Sequence, residues 1–164
     1  MKKLLVLLLL LFSLTGCNAS ETMETIGDDL AVSAGAVASQ IAVSFADGDA
    51  ALLCGEDGSK LYLFDGYCVT IQTMEGGDIE KSVQEITGFS KDSLTVMQTM
   101  KDGLTSYEYA WCAVGEGEDQ ICRGVILDDG NYHYAVTVMA DYTQAGQLRD
   151  TWKDILNSVT LSTD

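Results

Sequence analysis

Apolar residues run almost unbroken from Leu4 to Phe12, and from residue 50 onward they return in short runs divided by Asp-Gly and Gly-rich breaks. Ala51 to Cys54 and Leu61 to Phe64 flank Gly55-Glu56-Asp57-Gly58-Ser59, and Asp65-Gly66 separates Leu61–Phe64 from Tyr67–Ile71. A two-residue Asp-Gly break between alternating segments predicts a β-hairpin, because both positions tolerate positive φ. Gly76-Gly77-Asp78 ends this section and caps a helix in which Ile79, Val83 and Ile86 share one face, with Thr87-Gly88 closing it. Before residue 50 the pattern is double. Leu30, Val37, Ile41 and Phe45 fit a helical stripe capped by Asp28, whereas Ile41, Val43 and Phe45 alternate as in a strand, the form favoured near the end of this stretch.

The second half predicts a four-stranded antiparallel meander. Asp102-Gly103 as a two-residue turn pairs Val96 with Tyr109 and Met100 with Thr105. Centring the Gly115–Asp119 loop pairs Tyr109 with Val125 and Ala113 with Ile121, and centring Asp129-Gly130 pairs Val125 with Tyr134 and Leu127 with Tyr132. These registers gather Val96, Tyr107, Tyr109, Trp111, Val125, Leu127, Tyr132, Tyr134, Val136 and Val138 on one face. Met97, Ala110, Cys112, Cys122, Gly124, Ile126, Ala135 and Met139 fall on the other, beside Glu108, Gln120 and His133.

Thr143 is expected to cap a last helix whose Leu148, Trp152, Ile155, Leu156 and Val159 form one apolar stripe, with Trp152 docking beside Trp111 or Tyr109. Strands, helix, four strands and helix define an α+β fold, an antiparallel β-sheet meander flanked by helices with a C-terminal amphipathic helix packed on it. From Leu61 to Ser162 that order, closing on Trp152-Lys153-Asp154-Ile155-Leu156-Asn157-Ser158-Val159, resembles the PsbP-like domain. The resemblance implies a helix-flanked antiparallel sheet with roles in photosystem assembly or protein binding rather than catalysis. It transfers no functional residue.

The head of the chain bears on location. Lys2 and Lys3, the short apolar core and small residues after it make a secretory leader, too short to cross roughly 30 Å of hydrocarbon as a helix. Leu14-Thr15-Gly16-Cys17 resembles the bacterial lipobox. That resemblance implies cleavage before Cys17, a diacylglycerol thioether on its sulfur and usually acylation of the new amino group. Acyl chains at about 0.8 kcal/mol per buried methylene hold a domain on a membrane without a spanning helix. The chain then divides into a signal peptide over 1–16, lipidated Cys17 with a polar tether over 17–27, and one α+β domain over 28–164.

Charge narrows the partners. The leader holds two of the nine basic residues and none of the 25 acidic ones, so seven basic against 25 acidic side chains leave a net charge of −18 after it. Such a surface repels phosphate backbones and anionic headgroups, which argues against nucleic acid and leaves contact with the membrane to the lipid. Cys54, Cys68, Cys112 and Cys122 show no Cys-x-x-Cys or Cys/His spacing, so neither a redox motif nor a metal site is expected. The meander register sets Cys112 across from Cys122. Directly opposed β-carbons lie about 4.5–5.5 Å apart. A relaxed disulfide wants about 3.5–4.5 Å, so the pair is a strained candidate bridge.

No catalytic constellation stands out. His133 is the single histidine, and without a Gly-x-Ser-x-Gly elbow its plain reading is structural. Asp128, Asp129 and Asn131 offer oxygens without EF-hand spacing, and turn chemistry accounts for them. The Tyr107, Tyr109, Trp111, Tyr132 and Tyr134 group reads as core for a helix before it reads as a sugar or peptide platform. The expectation is therefore an extracytoplasmic lipoprotein, without cofactor, that binds an envelope protein, peptide or small ligand. A hydrolase with a carboxylate or cysteine site, or a subunit of an envelope complex, is the alternative.

Overall fold

The computed structural model describes residues 36–46, 50–114 and 119–162. The expected leader, the lipobox-like Leu14–Cys17 and the expected tether lie outside them. Strands β1 (Gln40–Ala42), β2 (Ala51–Cys54), β3 (Lys60–Leu63) and β4 (Cys68–Glu75) precede helix α1 (Ile79–Thr87). A 3-10 turn at Lys91–Ser93 leads into β5 (Val96–Lys101), β6 (Leu104–Ala113), β7 (Gln120–Asp128) and β8 (Tyr132–Asp141). Helix α2 (Arg149–Ser158) and β9 (Thr160–Ser162) complete the chain. The fold is α+β, with a seven-stranded antiparallel sheet in the order β2-β3-β4-β8-β7-β6-β5 and a two-stranded pair β1-β9. The pairing of β4 with β8 joins the hairpin half to the meander.

Local chemistry explains most boundaries. Asp102 at φ 52° and Gly103 at φ 85° make the β5–β6 turn and give the predicted Val96–Tyr109 and Met100–Thr105 pairs. The Asp65-Gly66 hairpin is closed by the Phe64 N–H on the Tyr67 carbonyl at 2.9 Å. In α1 the Asp78 carboxylate accepts from the Glu80 N–H, and Gly88 at φ 76° donates its N–H to the Gln84 carbonyl. The last helix departs from expectation. Tyr142 to Gln147 is a run of turns, Leu148 is the cap position, and Thr143 does not cap the helix because the chain becomes helical only at Arg149. Lys101 of β5 closes its far end, donating from Nζ to the Asn157 carbonyl at 2.6 Å.

The meander has the predicted strands and the predicted β5–β6 register, but the other two registers differ, and one of the changes alters the faces. The β7–β8 turn is centred one residue later, so Val125 pairs with Val136 and Leu127 with Tyr134. Asp129 causes this: its carboxylate accepts from the backbone N–H of Asn131 and of Tyr132 and from the Tyr134 hydroxyl, all within 2.8 Å. That shift of two keeps the face. Between β6 and β7 the shift is one, with Tyr109 opposite Gly124 and Glu108 opposite Val125. A shift of one sends every side chain of a strand to the other side. The predicted apolar face is consequently split between two layers.

Gly124 supplies the physical reason. A β-carbon built there would sit 2.7 Å from Cζ and 2.8 Å from the hydroxyl of Tyr109, so the ring lies directly over the glycine. Val125, Leu127, Tyr134, Val136 and Val138 face α2, packing with Trp152, Ile155 and Leu156. Tyr109, Ile126 and Ala135 face α1 and pack with Val83, joined by Val96, Tyr107 and Trp111. Trp152 therefore docks with the α2-side cluster, and Tyr109 and Trp111 belong to the other. Ile41, Val43 and Phe45 reach the α2-side core on alternate positions, as the strand reading expected, although only Gln40–Ala42 is paired, with β9.

Gly124→Ala forces the Tyr109 ring out of a site where it is 3% exposed. It should cost about 1–3 kcal/mol by overpacking. An unchanged urea midpoint would show that this contact does not hold the register.

Candidate functional site

Strand β4 is covered along only half its length. Its first residues pair with β3 from Leu63–Cys68 to Lys60–Ile71, after which β3 turns away into the Gly55–Ser59 loop. Gln72, Thr73, Met74 and Glu75 remain paired with β8 alone among the described strands. A cleft opens on each side of this stretch. On the α2 side a cavity of about 530 Å³ is lined by Ile41, Phe45, Lys60, Tyr62, Ile71 and Thr73, among others. On the α1 side one of about 450 Å³ is lined by Asp57, Gln72, Met74, Asp78, Lys81 and Glu85, among others. The first has an aromatic and aliphatic wall, and the second is mainly acidic.

Ser82, on the inner side of α1, borders the acidic cleft and bonds to His133. Its Oγ lies 2.7 Å from His133 Nδ1, and on the other side of the ring Nε2 faces Asp128 Oδ2 at 3.7 Å. The carboxylate favours the proton on Nε2, which leaves Nδ1 to accept from the serine hydroxyl. His133 is fully buried, and burial lowers its pKa against the smaller opposing pull of Asp128, Asp129 and Asp78. Serine, neutral histidine and carboxylate thus lie near one another, but only Ser82 and His133 share a hydrogen bond, and the buried Nε2 has no hydrogen-bond partner among the described residues. An acyl-transfer centre also needs donors for an oxyanion. The nearby N–H groups of Lys81 and Ser82 are both taken by the Asp78 carbonyl. The arrangement ties α1 to the sheet through a buried hydrogen bond. Sequence reading missed the partnership, since nothing in the spacing of Ser82 and His133 announces it.

Cys112 pairs with Ile121, and Trp111 stands opposite Cys122, so the expected direct opposition of Cys112 and Cys122 fails with the one-residue shift. They point to opposite faces, Cys112 exposed and Cys122 buried, and both are free thiols. Burial foremost, with Cys68 nearby, pushes the Cys122 thiol up to about 11. Asp129 is the hub of its turn. Burial alone would raise its carboxyl, but hydrogen bonds from Tyr134, Tyr132 and Asn131 hold it below the usual range. Among the described residues no group of three or more His, Cys, Asp or Glu side chains is placed to hold a metal. No helix among them is long and apolar enough to cross a membrane.

No family model and no curated protein matches the chain. Among solved structures it is similar to a Bacteroides thetaiotaomicron protein, with TM-score 0.50 and 14% identity over 76% of this chain and 46% of that one. The chain thus spans under half the length of that protein. LpqN of Mycobacterium tuberculosis, described as involved in cell envelope biogenesis, aligns with TM-score 0.40 and 12% identity over 76% of this chain and 91% of its own. Cyanobacterial PsbP (CyanoP) of Synechocystis gives 0.44 and 8% over 78% and 96%. CyanoP is a member of the family whose topology the sequence resembles. Below a TM-score of 0.5 these two carry no argument, and at its low identity the Bacteroides protein speaks for the fold alone.

The His133 environment sets a pH dependence. With its pKa below the ordinary 6.5, the unfolded chain takes up the proton first as pH falls. The stability tied to neutral His133 is complete above about pH 6.5 and is lost as pH drops through the lower folded value. Urea midpoints measured from about pH 8 down to about pH 5 should fall in the wild type, and the fall should be shallower in His133→Gln. Parallel curves for the two proteins would refute the assignment.

Proposed function

We propose that this chain is a lipid-anchored extracytoplasmic protein, held by acylated Cys17, whose folded part is a binding module using the clefts on either side of β4. The observation that carries the binding part is the meeting of both clefts at Gln72 and Thr73, within the uncovered stretch Gln72–Glu75. Concave surface with a few placed polar and charged groups is what ligand sites are made of. The anchor rests on the leader and on Leu14-Thr15-Gly16-Cys17. A strongly acidic domain beside an anionic bilayer would be kept off it by repulsion, leaving the clefts open to a partner.

The Ser82–His133–Asp128 alignment favours a hydrolase as second reading. It differs from the carboxylate or cysteine sites expected from sequence, because Cys122 stands level with Met139, far along β8 from His133. Engagement of the neighbouring N–H groups and the burial of Ser82 weigh against it.

Clickable fatty acid should label the wild-type protein in cells and leave Cys17→Ser unlabelled and released from membranes; a labelled Cys17→Ser would refute the anchor. A photo-crosslinking residue placed at Lys60 or Lys81, which line the two clefts, should trap a discrete species in cells, and one at exposed Lys153 on α2 should not. Equal trapping at all three, or none, would refute the binding site.

A further inference from the structure

The parity of hydrogen bonding along β4 can be fixed from two bonds. Phe64 N–H to Tyr67 carbonyl makes 64 and 67 a hydrogen-bonded pair at the β3 side, so in the antiparallel alternation residues 67, 69 and 71 direct their backbone groups toward β3. Gly76 N–H to Asn131 carbonyl, in register with the β4–β8 pairing, makes 76, 74 and 72 direct theirs toward β8. The two assignments agree. Past Ile71, where β3 ends, Thr73 and Glu75 therefore aim an N–H and a carbonyl each into the gap between the two clefts. Both side chains are exposed, and no described strand pairs there.

Resting on the binding reading above, we infer that the Gln72–Glu75 edge is a strand-addition site for an extended polypeptide in which basic and apolar residues alternate. Only another backbone presents donors and acceptors at strand spacing to the open groups of Thr73 and Glu75. The side chains of such a guest point alternately to the two faces. On one face they enter the cleft where Ile41, Phe45, Tyr62 and Ile71 offer contact to apolar groups and the Lys60 ammonium repels a second cation. On the other they enter the cleft whose charged residues are Asp57, Glu75, Asp78, Glu85 and Lys81, four acidic to one basic, which takes lysine or arginine. The sheet has two further edges, β2 and β5, but these are its outer margins. At Gln72–Glu75 the edge is a step cut into the sheet, with a cleft on each face to read the guest.

Because the Thr73 N–H points away from β8, Thr73→Pro removes the docking donor and no ladder bond, and the sheet should survive. The test uses the full chain in detergent and a dye-labelled hexapeptide (Val-Lys)3, followed by fluorescence anisotropy. The peptide should bind, and at least about tenfold weaker binding is expected for (Val-Glu)3, for (Val-Lys)3 with N-methylated backbone, and for Thr73→Pro with wild-type circular dichroism. Glu85→Gln, on the exposed side of α1, should weaken (Val-Lys)3 about threefold and leave the N-methylated peptide little changed. Equal binding of the N-methylated peptide, or full binding by folded Thr73→Pro, would overturn strand addition in favour of plain charge attraction. If Thr73→Pro fails to fold, the N-methylated peptide alone decides. Absence of (Val-Lys)3 binding while Lys60 and Lys81 positions still crosslink in cells would overturn the peptide class and leave the binding module standing.

Discussion

The ring of Tyr109 lying over Gly124 is the contact on which the layering of this molecule depends. Placing the large, buried ring of Tyr109 opposite the one residue of β7 without a side chain sets a register that neither loop geometry nor hydrophobic count would choose. From it follow two apolar layers: Val125, Leu127, Tyr134, Val136 and Val138 turn toward α2, and the aromatics of β6 join Ile126 and Ala135 toward α1. A sheet with one apolar face would have left α1 without a surface to cover. Here each helix has one, and the sheet is sandwiched.

Two polar hubs, one buried and one partly buried, pin these layers where apolar packing would let them slide. Ser82 to His133 holds α1 to β8. Asp129, with Tyr134, joins the β7–β8 turn to the incoming chain, since the Tyr134 hydroxyl also accepts from the Ser39 N–H at 2.9 Å. A net hydrogen bond contributes only about 0.5–1.5 kcal/mol, but a buried group left without its partner costs about 1–3, so these links specify geometry more than they add stability. Holding α1 in place also fixes the wall of the acidic cleft, which connects the interior network to the surface where a partner would arrive.

Element identity was legible wherever turn chemistry was explicit. Asp65-Gly66, Asp102-Gly103 and the Asp78-to-Gly88 helix were read from residues whose backbone preferences leave little choice. Register was less legible, because loop centring assumes symmetric loops. The carboxylate of Asp129 and the glycine at 124 break that assumption through side-chain contacts that span strands. The signal for the second was present, since a glycine inside a strand marks a close approach. The β4–β8 pairing and the meeting of Ser82 with His133 join residues distant in sequence with no motif between them. The half-covered β4 follows from β3 being only four residues long, which the sequence stretch Leu61–Phe64 did suggest. Its consequence for the sheet edge needed the topology.

The small pair β1–β9 bears on when the fold can finish. Ile41 lies against Leu161 and the Ser44 N–H donates to Ser158 Oγ, partners well over a hundred positions apart. Closing so long a loop costs entropy before any contact repays it, and such topologies fold slowly. A chain emerging amino end first, from a ribosome or through a pore, cannot seat Ile41, Val43 and Phe45 beside α2 until Thr160–Ser162 are free to pair with β1. Strand β9, made more than a hundred residues after β1, is thus its latch, and a chain in which β9 has not yet emerged stays open enough to be threaded.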